Sequence, residues 1–189
     1  MRMKETNDSL FMMDSSNGNY GKEAILDFQL SWLMRLSTEH KSNKKLDEIS
    51  RYVVLKLLGK EKENDVKIEK VEVWKQWNHI DIKAEAMIKI DGKTEKHIIV
   101  IENKIYHKLG CGQLDKYSQV VRENYSFSKD KIHYWLIYGD ENAEAKLEKA
   151  CQEADPKWIL LWFYDVIGGK PVKLIGNPIF DEFWVRHWV

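Results

Sequence analysis

An acid and a lysine two positions apart, Glu102 and Lys104, close the apolar run Ile98-Ile99-Val100-Ile101. Such a run reads as a buried strand, and alternation along a strand puts Glu102 and Lys104 on one face and Asn103 on the other. A further acid, Asp81, lies in Asn78-His79-Ile80-Asp81-Ile82, itself patterned as a strand. Carboxylates on neighbouring strands with a lysine beside them suit metal-dependent phosphodiester hydrolysis. Oxygen ligands hold a hard divalent cation, and the ammonium orients or activates the attacking water. The plainer reading of Glu102 and Lys104 is a surface ion pair at a strand end, easily matched in a chain with 32% charged residues. Against it stands the cost of burying two charges behind four apolar residues unless they have partners or work. Asp81 shares its parity with Lys83 and Glu85, so an ordinary polar strand face is its alternative.

The elements that must position these groups follow from periodicity. Ile25, Phe28, Leu30, Trp32, Leu33 and Leu36 give a helical stripe from Lys22 to about Leu36. A second helix is expected from Leu46 to Leu58, stopping at Gly59. After the charged loop Lys60–Asp65, the residues Val66, Ile68, Val71 and Val73 indicate an edge-type strand leading into Trp74 and Trp77. Ile80 to Ile90 alternates apolar and polar along its length, Asp91-Gly92 supplies a hairpin turn, and His97–Ile105 returns. A helix over Cys111–Glu123, a strand over Ile132–Tyr138, a helix over Glu141–Ala154 and a strand over Trp158–Phe163 complete the order α-α-β-β-β-α-β-α-β. Residues 1–19 read as a polar arm and 20–189 as one domain, with a tail broken by Gly168-Gly169, Pro171 and Pro178 and ending in aromatics from Phe180 to Trp188.

Composition narrows the class. A chain of 189 residues with 43% hydrophobic content is globular and large enough for a single substantial core. Thirty basic and thirty acidic residues cancel, which argues against coating nucleic acid by bulk charge and leaves a local basic face open. Cys111 and Cys151 provide neither a disulfide framework nor zinc spacing, so a reduced, cytoplasmic setting is expected. The polar N-terminus lacks a signal-peptide core, and the longest apolar run, Trp158–Tyr164, falls well short of the ~20 residues of a membrane helix. Neither a P-loop, a Gly-x-Ser-x-Gly elbow nor His-Glu-x-x-His occurs.

Asp81 on one hairpin strand and Glu102-Asn103-Lys104 on the next resemble the PD-(D/E)XK nuclease superfamily, over Glu23 to about Tyr138. Glu23, near the start of the first helix, matches the helix acid of many members. Gln113 and Tyr117 match the glutamine-x-x-x-tyrosine of the RecB-like branch. Ile80 stands where the superfamily's name has proline. The resemblance implies an α/β, restriction-endonuclease-like fold with a central mixed sheet of about four to five strands flanked by helices. It also implies a nuclease acting on nucleic acid, DNA foremost, with Mg2+ as cofactor and Mn2+ as substitute. Asp81, Glu102 and the Asn103 carbonyl would hold the metal, with Glu23 binding directly or through water; Lys104, Gln113 and Tyr117 would serve the chemistry.

Other residues carry two readings each. His79 and His107 could reach a phosphate, although structural histidines are commoner. Lys108, Lys116 and the trio Lys41, Lys44 and Lys45 could touch a nucleic-acid backbone or form a solvated face. Trp32, Trp135, Trp158 and Trp162 are core candidates; Trp74 and Trp77 pack in the core or stack on unpaired bases. Two other functions compete: a nuclease-fold module that binds nucleic acid or protein without turnover, and an oligomer docked through Phe183, Trp184 and Trp188.

Overall fold

The computed structural model describes residues 22–38, 43–105, 108–126 and 131–186. The proposed arm over residues 1–19 lies outside them, as do Lys41, His107 and Trp188. Helix α1 (Lys22–Leu36) buries Leu26, Leu30, Leu33 and Met34, the i, i+4, i+7 stripe of an amphipathic helix. Helix α2 (Lys44–Leu57) starts two residues before the expected Leu46, because Asn43 accepts a hydrogen bond from the Leu46 amide at 3.1 Å and caps the first turn.

Strands β1 (Lys67–Trp77), β2 (Ile80–Ile90) and β3 (Lys93–Lys104) form an antiparallel meander. Helix α3 (Gln113–Asn124) crosses to β4 (Lys131–Tyr138), which pairs parallel to β3, and α4 (Glu144–Glu153) crosses to β5 (Ile159–Trp162), parallel to β4. The five strands lie in sequence order, making a mixed sheet with β1 and β5 at its edges. A 3-10 turn over Glu141–Ala143 opens the last crossover, where Asp140 accepts from the Asn142 amide.

Strand parity divides the core. Ile99, Ile101 and Ile105 of the β3 segment face α1 and α2, while Ile98 and Val100 pack with Leu114, Tyr117 and Val121 of α3 and with Leu147 and Cys151 of α4. The sheet is therefore covered on both faces, and each face of β3 has its own helical layer.

The C-terminal segment corrects one expectation. Helix α5 (Pro178–Phe180) runs into a π-helical turn over Asp181–Arg186, and Phe183 and Trp184 are 1% and 0% exposed. Their rings join Phe180 and Phe163 in the cluster on the α1–α2 face. Aromatic area of this size is worth more inside the chain's own core than held in water for a partner, so these two rings cannot serve as a docking tail. Trp135 and Trp158 are core as expected, their indole nitrogens donating to the Leu57 carbonyl and the Ser118 hydroxyl.

Candidate active site

The end of β3 is held from three sides. Glu102 is 1% exposed. Its Oε1 accepts from Lys104 Nζ at 2.5 Å and from Gln113 Nε2 at 2.6 Å. Gln113 is the first residue of α3, entered through Gly112 in the left-handed conformation, φ 65°. Its Oε1 accepts from the Gly110 amide at 3.0 Å, which fixes the orientation of the side-chain amide, and its Nε2 also reaches the Tyr117 hydroxyl at 2.9 Å. The i, i+4 spacing on α3 thus places Gln113 and Tyr117 on the helix face that covers β3.

Asn103 points the other way. Its backbone N–H donates to Asp81 Oδ2 at 2.8 Å, and its fully buried side-chain Nδ2 donates to Asp27 Oδ1 on α1. The next residue but one is held as well: the Ile105 amide donates to Glu23 Oε1 at 2.8 Å. Asp81 is delivered by the β1–β2 turn, where Gln76, Asn78 and His79 all have positive φ. Gln76 Nε2 donates to Asp81 Oδ1 at 3.0 Å, so both oxygens of Asp81 have a donor.

Electrostatics singles out Glu102. Burial and then the neighbouring Asp81 charge push its carboxyl up to about 8, against the pull of Lys104. Its Oε2 is buried with no hydrogen-bond donor among the described residues. Lys104 is held above the usual lysine value: burial alone would depress it, but Glu102, Asp81 and Glu23 outweigh burial. Burial and Asp81 likewise push Asp27 up to about 7. Burial also raises the Tyr117 hydroxyl, which therefore stays a proton donor.

Two carboxylates that repel one another, one carrying a donorless buried oxygen, are the donor groups that a divalent cation would need. Mg2+ is commonly held by one or two carboxylates while keeping several waters, so Asp81 and Glu102 fit it. Among the described residues no three histidine, cysteine or acidic side chains converge on one point. Glu23, expected at the metal directly or through water, accepts the Ile105 amide at the exit of β3, and its charge acts on Lys104.

Asp81, Glu102, Lys104, Gln113 and Tyr117 are brought together by these contacts and electrostatic couplings, and Asn103 and Glu23 brace the strand that carries the first acid-lysine pair. Asp27 and Gln76 were not anticipated. Asp27 had a signal: it lies one turn beyond Glu23 and beside Leu26, an acid at the margin of an apolar stripe. Gln76 had none, being one polar residue among many in a strand end.

A family model described as the PD-(D/E)XK nuclease superfamily matches residues 9–169. The chain belongs to this superfamily, and its five-stranded mixed sheet flanked by helices agrees with the restriction-endonuclease-like fold. No curated protein and no solved structure matches it. Membership suggests a nuclease type of activity on nucleic acid and a divalent metal. Among the described residues, no helix is long and apolar enough to cross a membrane.

Proposed function

We propose that the protein is a Mg2+-dependent nuclease that hydrolyses phosphodiester bonds, acting on DNA, with Mn2+ able to replace Mg2+. Buried Glu102 beside Asp81, with Lys104 at 2.5 Å, carries this reading. Asp81, Glu102 and the Asn103 carbonyl would hold the cation, and Glu23 would steady the same strand end. A bound divalent cation supplies charge that polarises a phosphoryl oxygen and acidifies water. Lys104, kept protonated by its acidic neighbours, donates hydrogen bonds and positive charge to the phosphate as negative charge develops there. Gln113 orients Glu102, and Tyr117 offers its hydroxyl as a donor to water or phosphate. The pair Gln113 and Tyr117 supports placement in the RecB-like branch.

Purified protein incubated with single- and double-stranded DNA and Mg2+ tests the proposal. Cleavage should disappear in Glu102→Ala and in Lys104→Ala. Cleavage surviving either substitution removes this site as its source, and tight binding without cleavage in the wild type favours the non-catalytic module instead.

A further inference from the structure

Beyond Asp81, the hairpin of β1 and β2 carries a cluster that the hydrolytic site does not use. Lys83 lies two residues along β2 on the same face as Asp81, about 7 Å away at the rise of a strand, and is only 4% exposed. Its Nζ donates to Glu85 Oε1 at 3.1 Å and to the Tyr125 hydroxyl at 2.8 Å. The same Nζ sits 3.4 Å from the ring centre of Trp74, the residue paired with Lys83 across the hairpin, and 5.2 Å from that of Trp77. Tyr125 donates to Glu85 Oε1 at 2.6 Å, and Lys96 lies 2.8 Å from Glu85 Oε2.

Burying an ammonium is costly unless a carboxylate, a hydroxyl or an aromatic face shares its charge. Here all three do, and burial still pulls Lys83 below an ordinary lysine. The result is an indole fixed from one side. Trp77 packs against the α3-side core with its ring 6.0 Å from Tyr125, whereas Trp74 remains 39% exposed. Among the described residues no aromatic ring stacks on Trp74.

We propose that Trp74 is a stacking platform for an unpaired base of the substrate, so that the enzyme engages nucleic acid through a single-stranded segment. This deepens the nuclease reading and rests on it for the word substrate. Bases inside a duplex have both faces covered by neighbours, whereas an unpaired, unstacked base presents a free face to the indole. The ammonium beneath Trp74 draws π density inward and leaves the outer face better suited to an electron-rich base. Stacking of this kind is tolerant of sequence.

The test is fluorescence anisotropy with a labelled oligonucleotide, single-stranded or annealed, in chelator so that no turnover occurs. Trp74→Ala should weaken single-strand binding roughly 5- to 150-fold, leave duplex binding within about threefold, and Trp74→Phe should restore most of the loss. Unchanged single-strand binding in Trp74→Ala, or equal losses on both forms, overturns the proposal. A measurement on the wild type guards against misfolding of the variant. Photocrosslinking of an iodouracil-substituted single strand should give an adduct at Trp74, and adducts only elsewhere refute it. Failure of the two readings is distinguishable. Glu102-dependent cleavage with no role for Trp74 removes the platform alone, whereas Trp74-dependent binding without any cleavage removes the nuclease reading and leaves a single-strand binding surface.

Discussion

Glu102→Gln should make the metal-free protein more stable at alkaline pH while ending its response to Mg2+. Burial and Asp81 move the Glu102 carboxyl from 4.5 to about 8. Between those values the native state keeps a proton that the unfolded chain has shed. Stability is therefore fully present below about 4.5, falls as pH rises, and is lost once pH passes about 8. At about 1.4 kcal/mol per pH unit, the loss is bounded at ~5 kcal/mol. The substitution removes the titration, keeps an oxygen for Lys104 and Gln113, and gives Asp81 an amide donor. It also takes an anionic partner from Lys104, which reduces the gain. The expected difference is about 1–3 kcal/mol in favour of the variant at about pH 9, shrinking toward zero at about pH 5. Urea denaturation across that range in chelator measures it. Mg2+ should then reverse the order by stabilising only the wild type, with affinity rising up to about tenfold per pH unit as the proton is displaced. A variant no more stable than wild type at alkaline pH, or a difference independent of pH, refutes the reasoning.

Asp27→Asn should act in the same direction with a lower midpoint, because Asp27 titrates at about 7 and its stabilising proton is lost as pH rises through that value; a gain of about 1 kcal/mol at about pH 8.5 is expected by denaturation, with DNA cleavage retained. Trp184→Ala should cost about 3–5 kcal/mol through a core cavity and leave the sedimentation coefficient of the folded fraction unchanged; subunit dissociation without destabilisation would contradict the burial of this ring. His79→Gly, at a position with φ 70° beside Asn78 at φ 51°, should hold or raise stability by up to about 1 kcal/mol in thermal denaturation, since a hairpin turn with two left-handed residues favours Asn-Gly.

Much of this architecture is visible in the primary structure because its signals are short and local. The alternation from Ile80 to Ile90, the Asp91-Gly92 turn and the apolar run before Glu102 define the meander that carries the acids. Glu102 and Lys104 are legible because period two places them on one strand face behind an apolar run, whereas Gln113 and Tyr117 stand out only through the resemblance to the superfamily, their i, i+4 spacing being common on helices. What stays hidden depends on long-range partners. The amide that Glu23 binds lies 82 residues away, and Asn103 meets Asp27 across 76. Hydrophobicity likewise announces that Phe183 and Trp184 will be buried, but not in which body; only the empty flank of α1 and α2 decides that they close their own chain's core.

The tip of β3 is gripped from the two layers: Glu102 upward by α3, Asn103 downward by α1, and the Ile105 amide just beyond the strand by Glu23. Neither layer alone can set all three. Asp81 is set within the meander by Gln76 and the Asn103 amide, whereas Glu102 gains its Gln113 donor only when α3 is in place. The arrangement at the end of β3 is therefore a collective property, complete only once both helical layers have docked on the sheet.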